Sequence, residues 1–160
     1  MNTKRPTPIR GPARPTASSE TVRANMKKQK RKDTKCELAV RRQLHRSGVR
    51  FRVDFRPLPD QLFRVDVGWK GRKVAVFIDG CFWHGCPEHG SLPKSNSNWW
   101  AAKLDGNRAR DRRADSALRT AGWTVLRFWE HENPESVAKV IVATLRSGQP
   151  TKSASPSQTY

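Results

Sequence analysis

The sequence contains no apolar run of about 18 residues, so nothing in it reads as a membrane-spanning helix. Its first 33 residues are basic and rich in Pro, Thr and Ser, without the apolar stretch of a secretory signal, and the expectation is a cytoplasmic protein. Acidic residues are scarce: 14 Asp and Glu stand against 32 Lys and Arg, a formal charge of +18. Such a surplus repels itself in a compact fold, and a polyanion is the partner that relieves it, nucleic acid first and an acidic membrane surface second. Cysteine is limited to Cys36, Cys81 and Cys86, and in a reducing compartment a metal site is favoured over disulfides. There is no internal repeat. With 160 residues, 35% of them hydrophobic, the chain can bury one modest core and not two.

Composition divides the chain in three. Residues 1–33 carry few large apolar side chains and read as a flexible arm, and the basic block VRANMKKQKRKDTK (22–35), which runs from it into the domain, is suited to a phosphate backbone. Residues 147–160 are a polar tail expected to be disordered, which leaves 34–146 as the folded domain. There Thr34 and Glu37 form a capping-box pattern for a helix striped by Cys36, Val40 and Leu44 and ended by Gly48. Residues 49–55 alternate as a strand. So does FRVDVGW (63–69), with Phe63, Val65, Val67 and Trp69 on one face and Asp66 on the other. A turn at Lys70-Gly71 implies antiparallel pairing with KVAVFID (73–79). A basic helix over about 99–121, a buried strand WTVLRFW (123–129) and a helix from Pro134 with Val137, Val140, Ile141 and Leu145 inward complete the order α-β-β-β-α-β-α. This is an α/β fold with a central mixed sheet of about four strands flanked by helices.

The chemistry concentrates in VFIDGCFWHGCPEHG (76–90), a strand end and the loop leaving it. Cys81, Cys86 and His89 have ligand-type spacing for zinc, and His131 is the candidate fourth ligand, tying the loop to the last strand. The alternative is unrelated thiols and surface histidines; three ligand-type residues within nine positions favour the metal. His84, between the cysteines, suits general acid–base work. Phosphodiester hydrolysis calls for a hard cation on oxygen ligands, and Asp66 can meet Ile78-Asp79 across the hairpin to supply them; each Asp alone would more often be a solvated strand residue. Phe82 and Trp83, in an extended loop, point in different directions, and Trp99 and Trp100 repeat the arrangement; such aromatics wedge between base pairs, although two of the four are expected in the core. On 104–119, Arg108 and Arg112 share a side with Asp105 and Asp115 and read as partly phosphate-contacting.

These residues resemble the very-short-patch-repair (Vsr-type) mismatch endonucleases, which use the PD-(D/E)xK restriction-endonuclease core. The resemblance runs from about Arg23 to Trp129 through NMKKQKRKDTKCE (25–37), FRVD (51–54), the Asp66 strand, FIDGCFWHGCP (77–87), NWWAAK (98–103), N-x-x-R-D (107–111) and GWTVLRFWE (122–130). It implies Asp66 and the Ile78 main-chain carbonyl as Mg²⁺ ligands, His84 assisting the attacking water and Glu37 ordering the site. It further implies Phe82, Trp83 and Trp100 as intercalating aromatics aided by Met26, and Cys81 as a structural zinc ligand. The neighbouring Lys27 and Lys28 are expected on DNA. The implied reaction is a nick in duplex DNA 5′ to the thymine of a T:G mismatch, leaving a 5′-phosphate. The enzyme would act as a monomer, with a cytosine-5 methyltransferase as companion and mismatch-repair proteins as further partners. Asp79 stands where the best-known members carry a second active-site histidine, and Ile78 replaces a threonine. Two other functions fit the same residues: a Vsr-like nuclease acting on other mismatched, modified or foreign DNA, and a non-catalytic zinc-stabilised DNA-binding module. Retention of Asp66, His84 and Glu37 counts against the last.

Overall fold

The computed structural model describes residues 20–21, 23–24 and 32–148. Met26, Lys27, Lys28 and most of the tail lie outside the described residues. The elements are α1 (Lys35–Arg46), β1 (Arg52–Phe55), β2 (Val65–Trp69), β3 (Val74–Asp79), α2 (Cys81–His84), α3 (Ser97–Thr120), β4 (Thr124–Trp129) and α4 (Pro134–Ser147). The strands form one mixed sheet in the order β1-β2-β3-β4, with β1, β2 and β3 antiparallel to their neighbours and β3 parallel to β4. A parallel neighbour requires a long crossover, and α3 provides it.

Local chemistry sets the helix ends. Thr34 Oγ1 accepts from the Glu37 N–H and the Glu37 carboxylate accepts from the Asp33 N–H at 3.0 Å, so each satisfies a donor the helix cannot. Asn133 caps α4 ahead of Pro134, accepting from Glu135 N–H at 2.9 Å and Ser136 N–H at 3.2 Å.

Two apolar layers sandwich the sheet. One joins Val40 and Leu44 of α1 and Val137, Ala138 and Ile141 of α4 to Val67, Val74, Val76 and Ile78. The other joins Leu118 of α3 and Trp123 to Val65, Ala75, Phe77 and Val125. Strand β3 is buried at every position, as its unbroken apolar run requires between two helical layers.

Four details differ from the sequence reading. Val65, with Phe63, packs on the α3 side while Val67 and Trp69 pack on the α1/α4 side, so the four do not share a face. The β2–β3 ladder stops at Val67↔Val76, because beyond it the Ile78 N–H donates to the Asp66 carboxylate at 2.7 Å. Val140 is 40% exposed, and Ala138 and Thr144 are buried instead, because α1 covers a narrower stripe of α4. Residues 81–84 form a helical turn, α2, in what reads as loop.

Candidate active site and metal cluster

The interrupted ladder creates the first part of the site. Asp66 sits where β2 leaves regular pairing, its Oδ2 bonded to the Ile78 N–H, so a carboxylate from β2 and the backbone of β3 meet at one point. Glu37 of α1 is 4% exposed and bonds Arg41 at 3.1 Å, and Arg41 in turn bonds Asp33 at 2.6 Å. The Arg41 Nε is buried without a hydrogen-bond partner among the described residues. Burial pushes the Asp66 carboxyl up to about 6, reinforced by the charges of Glu37 and Asp79 and opposed by the Ile78 N–H and by Arg41. A carboxyl held this far from its ordinary value, beside two more acids, is a place where a cation would relieve repulsion.

The second part is a half-buried ionic network around the buried Asp79. His84, at the end of α2, has its Nδ1 2.6 Å from Asp111 of α3 and 3.6 Å from Asp79 at the end of β3. Arg127 of β4 places Nη1 2.7 Å from both Asp79 oxygens, Nε 3.0 Å from Asp115, and Nη2 3.6 Å from Asp111. Its guanidinium stacks on the Phe77 ring, 4.3 Å from the centroid. Burial alone would favour neutral His84, but the Asp111 hydrogen bond and the charges of Asp79 and Asp111 outweigh it and raise its pKa. With Nδ1 engaged by Asp111, Nε2 is the nitrogen left to exchange a proton.

The third part is the cysteine and histidine cluster. The ligand atoms of Cys81, Cys86, His89 and His131 lie within 4.8 Å of one another. Cys81 Sγ is 3.1 Å from His131 Nδ1, and Cys86 Sγ is 3.8 Å from His131 Nδ1 and 3.9 Å from His89 Nδ1. Tetrahedral zinc with two sulfur and two nitrogen ligands sets neighbouring donors about 3.3–3.8 Å apart. The donor set and its spacing therefore fit a zinc ion, and these residues can hold one. The Cys81 thiol is pushed up to about 11 by burial and by the adjacent Cys86 thiol, so without a cation Cys81 stays protonated. Glu130 Oε1 accepts from the Cys81 N–H at 2.7 Å, anchoring the first ligand to the end of β4.

Aromatic side chains lie beside the dyad. Because α2 is helical, Phe82 and Trp83 do not diverge as an extended loop would make them. Their ring centroids are 5.1 Å apart, and Trp100 lies 5.2 Å from Phe82 and 5.9 Å from Trp83. Trp100 is buried while Phe82, Trp83 and Trp99 are half-buried, so one ring anchors the cluster and three have open area. Asn107 of α3 donates to the Trp83 carbonyl at 2.8 Å. Gly85 ends α2 at φ +65, a left-handed conformation that favours glycine, and the Arg108 guanidinium lies against its open side. Arg108 pairs with Asp105 at 3.3 Å, and Arg112 lies on the exposed surface of α3.

Comparison with known proteins gives the family. Residues 16–88 match the family model described as DNA mismatch endonuclease Vsr. The type II nicking enzyme V.NaeI of Lentzea aerocolonigenes is 46% identical over 123 residues, covering 76% of this chain and 74% of its own. The chain belongs to the Vsr-type endonuclease family. The type II nicking enzyme V.XorIIP of Xanthomonas oryzae is 41% identical over 72% of this chain and 83% of its own. The DNA mismatch endonuclease Vsr of Escherichia coli is 35% identical over 66% of this chain and 67% of its own.

In this Vsr-type nuclease the tertiary structure brings together Asp66, Ile78, Glu37, Asp79 and His84, and separately the four Cys and His residues. Sequence reasoning missed Asp111, Arg127, Arg41 and Glu130 as parts of these groups. Asp111 falls inside the quoted N-x-x-R-D motif and was given no role. A signal for Arg127 does exist, since a charged residue interrupts the otherwise apolar strand WTVLRFW. Among the described residues no helix is long and apolar enough to cross a membrane.

Proposed function

We propose that this Vsr-type endonuclease nicks duplex DNA 5′ to the thymine of a T:G mismatch, using Mg²⁺ at Asp66 and leaving a 5′-phosphate. The observation that carries the reading is the meeting of the Asp66 carboxylate with the Ile78 backbone, one neighbour away from the His84–Asp111 dyad through Asp79. Asp66 and the Ile78 carbonyl are the oxygens that would hold the cation. A divalent metal bound there supplies Lewis-acid stabilisation of the phosphate charge and lowers the pKa of water. His84 Nε2 takes the proton of the attacking water while Asp111 holds the ring through Nδ1. Glu37, fixed by Arg41, orders the carboxylate end of the site, and Asp79 is the counter-charge between the two halves.

Phe82, Trp83 and Trp100 are the wedge in this reading, to which the family resemblance adds Met26, outside the described residues. Inserting rings costs a few kcal/mol of unstacking, least where pairing is already weak, and so creates mismatch preference. Lys27, Lys28, Arg108 and Arg112 contact phosphate. Zinc on Cys81, Cys86, His89 and His131 staples α2 to β4 and keeps the wedge and His84 in register. The mispair arises from deamination of 5-methylcytosine, which makes a cytosine-5 methyltransferase the companion activity, in the cytoplasm. That the relatives at 46% and 41% identity are named nicking enzymes favours a cut in one strand.

The test is end-labelled duplexes bearing T:G, U:G, T:A and modified pairs, incubated with protein and Mg²⁺. A single cut on the thymine strand, with strong preference for T:G, is expected. Equal cutting of T:A, or cleavage of both strands, overturns the proposal.

A further inference from the structure

We infer that Arg127 is a positioning residue that decides which carboxylate holds His84, by keeping Asp79 out of competition with Asp111. The inference deepens the proposed nicking reaction and rests on it for the role of His84. The His84 Nδ1 carries one proton, and two carboxylates lie within its reach, the half-buried Asp111 at 2.6 Å and the buried Asp79 at 3.6 Å. Only one can accept the bond, and the choice fixes the ring angle and so the position of Nε2. Arg127 Nη1 is 2.7 Å from both Asp79 oxygens, while its Nε engages Asp115. The planar guanidinium thus assigns a different nitrogen to each of two acids and leaves Asp111 to the histidine. Its stacking on Phe77, and the place of Arg127 on a strand paired with β3, make the fork rigid.

The arrangement predicts an unusual pattern among variants. Without Arg127, Asp79 is a buried unpaired carboxylate beside an imidazole and draws the ring away from Asp111. Without Asp79, the freed guanidinium, already 3.6 Å from Asp111, takes Asp111 from the histidine. With neither, the competition disappears and His84 returns to Asp111. Arg127 acts through other groups, and Asp79, with both oxygens occupied, is not a metal ligand.

The experiment compares wild type with Arg127→Met, Arg127→Lys, Asp79→Asn and the double variant Asp79→Asn/Arg127→Met. Single-turnover nicking of a T:G duplex should fall about a hundredfold in Arg127→Met and at least about tenfold in Asp79→Asn, from displacement of a reacting group. Arg127→Lys should fall in between, and the double variant should be faster than either single. The Nδ1–H resonance of His84, assigned among four histidines with His84→Asn, reports the same events without turnover. It should shift in Arg127→Met and return in the double variant. Mn²⁺ binding, read by electron paramagnetic resonance, should persist in Asp79→Asn, reduced only by the lost neighbouring charge, and be lost in Asp66→Asn. A double variant slower than both singles, or Mn²⁺ binding abolished in Asp79→Asn, overturns the inference. Should Arg127→Met not fold, Arg127→Lys with Asp79→Asn carries the same comparison. If wild type nicks no duplex, the nicking proposal fails, and the resonance and Mn²⁺ measurements still decide this one.

Discussion

Replacing Asp66 by Asn should stabilise the protein at neutral pH in the absence of Mg²⁺ while abolishing its nuclease activity. The Asp66 carboxyl is raised from an ordinary value of 3.8 to about 6, chiefly by burial, with Glu37 and Asp79 adding repulsion. A group whose folded pKa is raised contributes its full stability below the unfolded value. That contribution is lost as pH climbs through the folded value, so the window runs from about pH 4 to pH 6. Above it, the fold carries an ionised buried carboxylate at a cost of about 3 kcal/mol, at 1.36 kcal/mol per pKa unit. Asparagine has the same shape, still accepts from the Ile78 N–H, and never ionises. The difference in unfolding free energy between Asp66→Asn and wild type should be near zero at pH 4 and grow to about 3 kcal/mol by pH 8. In a domain of this size that is on the order of 10 °C in Tm. Urea unfolding of zinc-replete protein at unit pH steps without Mg²⁺ measures it. Added Mg²⁺ should then raise the stability of wild type alone, since only a metal bound to the folded state shifts the equilibrium. A difference independent of pH, or a variant less stable than wild type at pH 8, would show that the Ile78 hydrogen bond outweighs burial and would refute the reasoning.

Four further outcomes are expected. Purified protein should hold about one zinc per chain, and Cys86→Ser should lose it and lower Tm as well as turnover, checked by metal analysis and calorimetry. Asp111→Asn should slow nicking about a hundredfold or more with DNA affinity intact, because His84 loses the group that orients it; near wild-type single-turnover rates would exclude the dyad. Trp83→Ala should reduce the ratio of T:G to T:A nicking more than it weakens general DNA binding, and an unchanged ratio would return the ring to a packing role. Removing residues 1–32 deletes five lysines and five arginines, so the slope of binding against salt should flatten; an unaltered slope would mean the arm makes no phosphate contacts.

Much of the fold was legible in the residues. The capping pattern at Thr34 and Glu37, the Lys70-Gly71 turn and Pro134 behind Asn133 mark their elements because each acts within a few residues of itself. The zinc-type ligands were legible because three of four lie within nine positions of one another. Val140 and the Phe63–Trp69 alternation were misread for a related reason. How wide a stripe a neighbour covers, and where a ladder is interrupted by a side chain, are not local properties.

The sequence by itself determined the charge, the order of the strands and of the three longer helices, the ligand types around position 81 and the residues of the family motifs. These follow from composition and short spacing. Only the tertiary structure decided the pairings: Asp111 with His84 across 27 positions, Arg127 with Asp79 across 48, and Asp66 with the Ile78 N–H in place of a ladder bond. The physical reason is that a charge in the sequence names no partner. Its partner is selected when the sheet and α3 close over it, because a buried charge left unpaired costs more than the fold's other choices can recover.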